Sequence, residues 1–244
     1  MHTDKPGIDL TFLGSGNAFG AEGRAFSSFL LNGRYLFDCG PTVLQQLRKA
    51  NVPSDAIDVV LISHYHADHF FGLPFLFLDA WHTGRTKELY IVGPPGVEER
   101  TERLVDFAYT LLSGRMTFPR RYVEVSDGLE AEVSGLAFTA AQVEHVPELE
   151  CFAYRAHLNG RSLVFSGDAR LCDSLIGLVP GADVVVLECS CAGEPVHLSP
   201  ADVAEIVSHA PADAQVIVTH LDGRDHPNGF AGLHVATDLA RFHF

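Results

Sequence analysis

The 244-residue sequence has few basic residues, few cysteines and no long apolar run. Lysine and arginine total 17 against 31 acidic residues, which gives a formal net charge of −14. Long nucleic acids are bound by patches of Lys and Arg, so this balance argues against such a partner. No stretch approaches the roughly 18 apolar residues of a membrane span, and the start, MHTDKPGIDLTFLG, lacks the basic and apolar blocks of a secretory signal. A cytoplasmic protein without a membrane partner is therefore expected.

The five cysteines are loosely spaced, and in a chain without an export signal they indicate free thiols rather than a disulfide framework. Cys189 and Cys191 have one residue between them, whereas structural zinc and redox motifs typically have two. The cysteines are therefore not predicted to bind a metal.

No linker, repeat or charge block divides the sequence, so residues 1–244 are predicted to form a single domain. Strand candidates recur over residues 8–14, 27–40, 57–64, 88–95, 135–145, 151–168, 182–190 and 214–220. Asn32-Gly33 and Asn159-Gly160 lie between apolar runs, which is typical of two-residue hairpin turns. Helical patterns lie between the strands, at residues 41–52, 96–112 and 199–210. Hairpins followed by strand–helix alternation predict an α/β protein with two packed sheets and helices outside.

Three apolar strands end in polar side chains that can bind metals, in VVLIS-HYHADH, LVFSG-D and VIVT-H. Strand ends that meet at one rim are a common place for a site in α/β folds. A buried imidazole or carboxylate without a partner costs several kcal/mol. One shared metal centre would satisfy all three strand ends.

The segment ISHYHADHF contains the densest group, with His64, His66, Asp68 and His69. His64 and His66 are two residues apart, so an extended backbone directs both side chains the same way, and Asp68 and His69 follow where the chain must turn. Mixed imidazole and carboxylate ligands suit Zn²⁺, with Mn²⁺ or Fe²⁺ as alternatives. The other interpretation is a solvated histidine-rich loop, but four such residues directly after a buried strand favour a metal site.

HYHADH resembles the His-x-His-x-Asp-His signature of the metallo-β-lactamase superfamily. Together with TFLGSGNAFG and YLFDCGPT, the similarity continues through EHVPELECFAYR, FSGDAR, LECS…HLS and VTHL, which covers nearly the whole chain. The chain is most similar to the ribonuclease Z-type branch and its small phosphodiesterase relatives. The resemblance implies a four-layered αββα sandwich of two mixed β-sheets flanked by helices.

The resemblance also implies two divalent ions held by His64, His66 and His145 on one side, by Asp68, His69 and His220 on the other, and by Asp168 as a bridge. A hydroxide between the ions would be the nucleophile, and Asp68 counts among the catalytic residues as well. Taken alone, His145 could be a polar loop residue, Asp168 a turn former and His220 a cap.

In the ribonuclease Z-like branch, a Glu after a buried strand is paired with a His before a helix, and Glu188 and His197 correspond to them. The implied role of His197 is to donate a proton to the leaving group or to stabilise phosphoryl charge, with Glu188 orienting its ring. The branch usually has Thr where this chain has Ser199, which is either a substrate contact or only the N-cap of the next helix. Weaker predictions of substrate contacts fall on Asn17, Arg224 and His226.

The glycines of LGSGNAFG match no phosphate-binding motif, so Gly14 and Gly16 are predicted to be structural, through unusual φ angles. The segment 72–90 is rich in aromatics and leucine, which predicts a core helix or, alternatively, the face of a homodimer.

A shared fold does not specify a substrate. The acidic balance and the lack of a Gly/Pro/Lys-rich arm near Asp168 argue against tRNA processing, and the Glu188/His197 pair argues against lactone or thioester hydrolysis. The sequence therefore predicts a dinuclear metal-dependent hydrolase, a phosphodiesterase for a small and possibly cyclic substrate. The alternatives are a tRNA 3′-end processing ribonuclease Z, a lactone or thioester hydrolase, and a non-catalytic metal-binding regulatory protein.

Overall fold

The computed structural model describes residues 7–190, 196–223 and 232–244. Within these ranges the strands are β1 (Asp9–Gly14), β2 (Ser28–Leu31), β3 (Tyr35–Phe37), β4 (Val59–Leu61), β5 (Leu89–Gly93), β6 (Arg120–Glu124), β7 (Glu130–Val133), β8 (Leu136–Val143), β9 (Cys151–Leu158), β10 (Arg161–Phe165), β11 (Val184–Glu188), β12 (Gln215–Thr219), β13 (Leu233–Val235) and β14 (Arg241–His243). The helices are α1 (Val43–Lys49), α2 (Ala67–Phe70), α3 (Leu73–His82), α4 (Val97–Ala108), α5 (Asp173–Leu178) and α6 (Pro200–Val207).

The strands form two mixed seven-stranded sheets. The first sheet has the order β14-β1-β2-β3-β4-β5-β6, antiparallel as far as β3 and parallel from β3 onward. The second has the order β13-β12-β11-β10-β9-β8-β7, parallel from β13 to β10 and antiparallel beyond. Both sheets therefore combine hairpins with strand–helix–strand crossovers, as the sequence predicted.

Side chains alternate between two apolar layers along each central strand. In β2, Phe29 and Leu31 face the layer between the sheets, whereas Leu30 packs with the helices on the outer face. Between the sheets, the rings of Phe29 and Phe37 stack with centres 4.6 Å apart, and Phe165 of the second sheet meets both edge-on. Helices α1, α3 and α4 cover one sheet and α5 and α6 cover the other, which confirms the αββα sandwich.

The two hairpin turns have the backbone that their sequences predict. Asn32 and Gly33 have φ of 50° and 67°, and Asn159 and Gly160 have φ of 56° and 74°. Positive φ at both central residues is the turn that matches the twist of a two-residue hairpin.

The prediction of unusual φ at Gly14 and Gly16 is wrong, because neither glycine has a positive φ. Both are required by close approach instead. A Cβ at Gly14 would lie 2.0 Å from the carbonyl oxygen of Phe26, and one at Gly16 would lie 2.7 Å from Cβ of Arg24. The glycines let the chain that follows β1 pass directly against the segment that leads into β2.

The helices are shorter than the sequence patterns predicted, since α1, α4 and α6 lie inside the three predicted ranges. Helix α3 packs Leu76 and Phe77 into the core, which confirms the core-helix interpretation of its inner face. The longest described helix, α4, has 12 residues. A bilayer span needs about 20 residues, and no described helix is long and apolar enough to cross one.

Candidate active site

Seven imidazole and carboxylate side chains meet where strands of both sheets end. The loop after β4 and helix α2 supply four of them, and the chain just beyond β8, β10 and β12 supplies one each: His64, His66, Asp68, His69, His145, Asp168 and His220. Six of the seven are buried, and only His66 is half-exposed. They form two groups that share Asp168, and within each group the candidate ligand atoms all lie within 4.8 Å of one another.

The first group consists of His64, His66, His145 and Asp168. His66 Nδ1 lies 3.0 Å from His64 Nε2 and 3.4 Å from His145 Nε2. Asp168 Oδ2 is 3.9 Å from His64 Nε2 and 4.0 Å from His145 Nε2. Burial lowers the pKa of all three histidines, which favours the neutral imidazole that binds metals.

The second group consists of Asp68, His69, His220 and the same Asp168. Asp68 Oδ2 lies 3.2 Å from His69 Nε2 and 3.4 Å from His220 Nε2. Asp168 Oδ2 lies 3.4 Å and 3.3 Å from the same two nitrogens. Tetrahedral ligands with bonds of about 2.0–2.1 Å are about 3.3 Å apart, so these separations suit a small divalent cation.

The protonation of His69 tests this fit independently. Its Nδ1 donates a hydrogen bond to Asp38 Oδ2 at 2.7 Å. Burial lowers the pKa of the ring, but the charges of Asp168, Asp38 and Asp68 outweigh burial and raise the pKa well above its ordinary value. Within the described ranges Nε2 of His69 is buried with no hydrogen-bond partner, and it faces the carboxylates of Asp68 and Asp168. Nε2 and the two carboxylates therefore need positive charge between them, which a proton on the ring supplies in the metal-free protein and a divalent cation would supply in its place. The residues therefore fit a divalent metal.

Asp38 is a component of the site that sequence reasoning did not assign. It follows β3, is fully buried, and accepts hydrogen bonds from Ser63 N at 2.8 Å, Ser63 Oγ at 2.9 Å and His69 Nδ1 at 2.7 Å. The sequence did contain a signal. YLF-D is an apolar strand followed by an acid, just as the three recognised strands are followed by a histidine or an aspartate.

The hydrogen bonds behind the ligands fix which ring nitrogen each histidine presents. Because the Ser63 hydroxyl donates to Asp38, it accepts from His64 Nδ1 at 2.9 Å, and Nε2 of His64 is left with a lone pair. His145 Nδ1 donates to the carbonyl of Val196 at 2.8 Å, which likewise leaves a lone pair on Nε2 of His145. Such partners orient metal-binding imidazoles and raise their basicity.

The backbone is in an unusual conformation at two of these positions. His220 has φ of 56° and Asp38 has φ of 57°, in the left-handed region that residues with a Cβ seldom adopt. Such conformations persist where surrounding contacts hold them, and they cluster at functional sites. Each turns a side chain back towards the centre just after a strand ends.

Glu188 and His197 are also adjacent, as predicted. Glu188 is the buried last residue of β11, and its Oε1 and Oε2 accept from His197 Nδ1 at 2.8 and 2.9 Å. Glu188 Oε1 also accepts from Ala169 N at 2.8 Å, which fixes the carboxylate beside Asp168. Burial lowers the pKa of His197, but the hydrogen bond and charge of Glu188 outweigh it and raise the pKa to about 9. His197 Nδ1 lies 4.0 Å from Asp168 Oδ2, so the pair borders the candidate metal centre.

A pocket of about 630 Å³ opens over the centre. Its described lining comprises Asn17, Ala18, Phe19, Ala21, His66, Asp68, His145, Val146, Asp168, Ser190, Val196, His197, His220 and Asp222. Sequence reasoning singled out Asn17 but did not consider Phe19. A volume of this order accommodates a small-molecule substrate.

The remaining predicted contacts divide into two cases. Ser199 is the N-cap of α6, as one of the two interpretations predicted, and it forms a capping box in which its hydroxyl accepts from Asp202 N and the Asp202 carboxylate accepts from Ser199 N. It is not among the residues that line the pocket in the described part of the chain. Arg224 and His226 lie outside the described residues.

Residues 33–221 match the family described as the beta-lactamase superfamily domain. The chain belongs to the metallo-β-lactamase superfamily. Ribonuclease Z of Mycobacterium bovis is 30% identical over 193 residues, covering 73% of this chain and 69% of the relative. Ribonuclease Z of Bacillus subtilis is 26% identical over 279 residues, covering 89% of each. These relatives place the chain in the ribonuclease Z-like branch.

Solved structures show the same metallo-β-lactamase fold. The YhfI protein of Bacillus subtilis has a TM-score of 0.77 at 21% identity, covering 98% of this chain and 100% of the other. A diphosphatase from the PhnP family has a TM-score of 0.75 at 20% identity, with coverages of 97% and 98%. Family and fold together identify this member of the metallo-β-lactamase superfamily as a metal-dependent hydrolase.

Proposed function

We propose that the protein is a phosphodiesterase that hydrolyses a small phosphodiester, such as a cyclic nucleotide. The observation that carries this proposal is the pairing of His197 with Glu188 at the wall of the pocket. The Glu188 carboxylate behind the ring favours the protonated imidazolium. The positive charge of the imidazolium complements a phosphodiester, which is an anion at neutral pH. A neutral lactone or thioester gains less from a cation at this position.

The residues of the chain divide the work as follows. When bound, two divalent ions supply an activated water and neutralise charge on the phosphoryl oxygens. Asp168, His64 and His69 would hold these ions, and all three side chains are buried. His197 donates a proton to the oxygen of the departing alcohol, so that the P–O bond breaks without release of a free alkoxide. Glu188 holds the His197 ring by Nδ1, which leaves Nε2 as the donor.

The pocket supports a small substrate rather than a long chain. Asn17 lies in its wall, and because Asn17 Oδ1 accepts from Phe19 N at 3.2 Å, the amide nitrogen is the group that can reach a phosphoryl oxygen. The alignment with the Bacillus ribonuclease Z spans 279 positions, more than the 244 residues of this chain, so that relative carries segments without a counterpart here. The net charge of −14 also disfavours a polyanion.

Zinc is the metal we propose for the centre, with Mn²⁺ and Fe²⁺ as the alternatives. The imidazole-rich ligand set and the 3.2–3.4 Å separations in the second group suit tetrahedral zinc. A cytoplasmic location belongs to the same proposal. Cys39, Cys151 and Cys172 are free thiols, which suits a reducing compartment.

The test is a substrate panel on one purified sample whose metal content is measured. The panel contains a chromogenic phosphodiester, a series of cyclic nucleotides, a precursor tRNA and an acyl-lactone. We expect about two metal ions per chain and turnover of the small phosphodiesters. Turnover of the lactone alone would refute the proposal, whereas two bound metals with no turnover of any substrate would favour the non-catalytic alternative.

Cleavage of RNA is the second candidate, and the names of the relatives favour it. Both relatives are ribonucleases Z, which does not fit the expectation that no long nucleic acid is a partner. The same panel separates the two candidates, because a ribonuclease Z would cleave the precursor tRNA far faster than any cyclic nucleotide.

A homodimer is part of the proposal, and the outer side of the α2–α3 segment supports it. Phe71 and Phe75 are 45% and 42% exposed, and the ring of Phe75 lies 6.3 Å from that of Tyr109. Exposed aromatic clusters commonly mark interfaces. Size-exclusion chromatography with light scattering measures the mass directly, and a monomer at micromolar concentration would rule the dimer out.

A further inference from the structure

Phe19 is an aromatic side chain in the wall of the active-site pocket that the proposed chemistry leaves without a role. Its side chain is 91% exposed, although it lines the same pocket as His66, Asp168 and His197. Exposing a phenyl ring to water is unfavourable relative to burying it. A ring at this place therefore gains stability from any apolar or planar group that enters the pocket.

The backbone holds Phe19 in a defined position. Asn17 Oδ1 accepts from Phe19 N at 3.2 Å, and Gly20 N donates to the carbonyl of Asn17 at 3.0 Å, so residues 17–20 form a closed turn. The turn is anchored to the metal side of the pocket because Asn17 N donates to the carbonyl of Leu221, the residue after His220, at 3.2 Å. The backbone that carries the ring is thus held in a closed turn beside the centre.

The surroundings of Phe19 favour a planar uncharged group over a second anionic one. Ala18, Ala21, Val146 and Val196 provide apolar lining in the same pocket. Among the lining residues that the structure describes, none is Lys or Arg. A phosphodiester would therefore place its single charge at the metal centre and His197, and the rest of the substrate would meet these apolar side chains together with Ser190 and Asp222, with no second cation among the described lining residues.

We propose that Phe19 is a specificity-determining residue that stacks on the nucleobase of a nucleoside phosphodiester while the phosphate occupies the metal centre. This inference rests on the proposed phosphodiesterase function and names its substrate class. Base–aromatic stacking tolerates any base, since every base has a π-face, so the preference is for nucleosides over base-free diesters.

The test compares adenosine 2′,3′-cyclic phosphate with ethylene phosphate on zinc-loaded protein. Both are five-membered cyclic diesters with one negative charge, and only the first carries a base. Phe19→Ala should raise KM for the nucleotide by about 5- to 100-fold with little change in kcat, because stacking stabilises ground and transition states alike. Ethylene phosphate should be unaffected, and Phe19→Trp should restore the nucleotide KM.

Phe107→Ala is the matched control. Phe107 is also 91% exposed, lies on α4, and is not among the described residues of the pocket. It should change neither substrate's kinetics. Equal effects of Phe19→Ala on both substrates, or no effect on either, would overturn the stacking inference while leaving the phosphodiesterase proposal intact.

A calorimetric titration keeps the two proposals separable. Adenosine 2′-monophosphate should bind the zinc-loaded protein more tightly than 2-hydroxyethyl phosphate, and Phe19→Ala should remove that difference. If neither diester is hydrolysed, the phosphodiesterase proposal fails, and the titration still decides whether a base stacks on Phe19. Equal binding of the two monoesters to the unaltered protein would refute the stacking.

Discussion

Two carboxylate–imidazole pairs, each with a buried carboxylate, lie at the candidate active site, and they differ in what the far side of each ring faces. Asp38 accepts from Nδ1 of His69 at 2.7 Å, and Glu188 accepts from Nδ1 of His197 at 2.8 Å. The side chain of His69 is only 2% exposed and its Nε2 faces Asp68 and Asp168, whereas the side chain of His197 is 18% exposed and lines the pocket.

The same local chemistry therefore serves two purposes. Behind His69 the carboxylate holds Nδ1, so that Nε2 is directed at the candidate metal position between Asp68 and Asp168. Behind His197 it favours a proton on a ring that lines the pocket, where our proposal places the substrate. The two pairs have the same chemistry, so what the Nε2 of each ring faces decides its proposed role. Nε2 of His69 faces two carboxylates, as a metal ligand would, whereas His197 lines the pocket, as a proton donor would.

Removal of the His197 ring, which lines the pocket, should have the largest effect on activity. We expect His197→Ala to lower kcat by about 10²- to 10⁴-fold, because the leaving alcohol loses its proton donor. Metal content should remain unchanged. Steady-state kinetics together with elemental analysis of the same sample measure both quantities.

His209→Ala is the control, since His209 is an exposed histidine just beyond α6. It should leave both rate and metal content unaltered. A loss of metal from His197→Ala would mean that His197 serves the centre as a ligand, and the distinction between the pairs would fail.

The second-largest effect should come from a change in the Asp38–His69 pair, which faces the candidate metal position. Asp38→Asn should weaken metal affinity by roughly 10- to 100-fold, because His69 loses the charge that orients and polarises it. Asparagine tolerates the left-handed backbone at this position, so the turn after β3 is retained. Excess zinc should restore the rate, which it cannot do for His197→Ala. Competition with a chelating dye measures the affinity.

Asp58→Asn provides a matched buried aspartate, because Asp58 is 8% exposed and pairs with Arg34 and Lys87. It should alter stability without altering metal affinity. If Asp38→Asn binds zinc as tightly as the unaltered protein, Asp38 has only a structural role.

The strand pattern was predictable in the interior of both sheets and not at their margins. The strands that the sequence did not predict are β6, β7, β13 and β14, and these are the outermost strands of the two sheets. A strand such as β6, with the sequence RRYVE, has a neighbouring strand on one side only and no fully buried residue, so its apolar period is weak. Burial on both faces produces the signal, and edges lack it.

The site shows a similar division. That the seven candidate ligands lie together was predictable because metal chemistry limits such residues to a few types, here histidine and aspartate, in a recognised order. Asp38 was missed because one acid after a strand has many ordinary explanations until its contact with His69 is seen. Phe19 was missed because an aromatic residue in a glycine-rich turn gives no indication of whether it is buried, and only the fold shows the ring at the pocket.

A smaller but diagnostic effect should appear in the pH profile. The pKa of His197 is raised from its ordinary 6.5 to about 9 because Glu188 outweighs burial, so a proton donor there is active at low pH and lost as pH rises through that pKa. Glu188→Gln removes the raising charge, so the alkaline limb of kcat/KM should move to lower pH. Asp38→Asn should leave that limb in place at saturating zinc. A limb that does not move with Glu188→Gln would exclude His197 as the titrating donor.

The smallest effect tests the segment that follows the pocket-facing ring. Ser199 caps α6 two residues after His197, whereas α2, which carries His69, has no side-chain cap. We expect Ser199→Ala to lower the free energy of unfolding by about 1 kcal/mol in urea denaturation, with kcat/KM unchanged. Ser199→Asn keeps a capping oxygen but removes the hydroxyl, so it should restore stability. If both variants lose activity while Ser199→Asn remains stable, the hydroxyl contacts substrate, and the pocket extends further along the chain than the lining residues indicate.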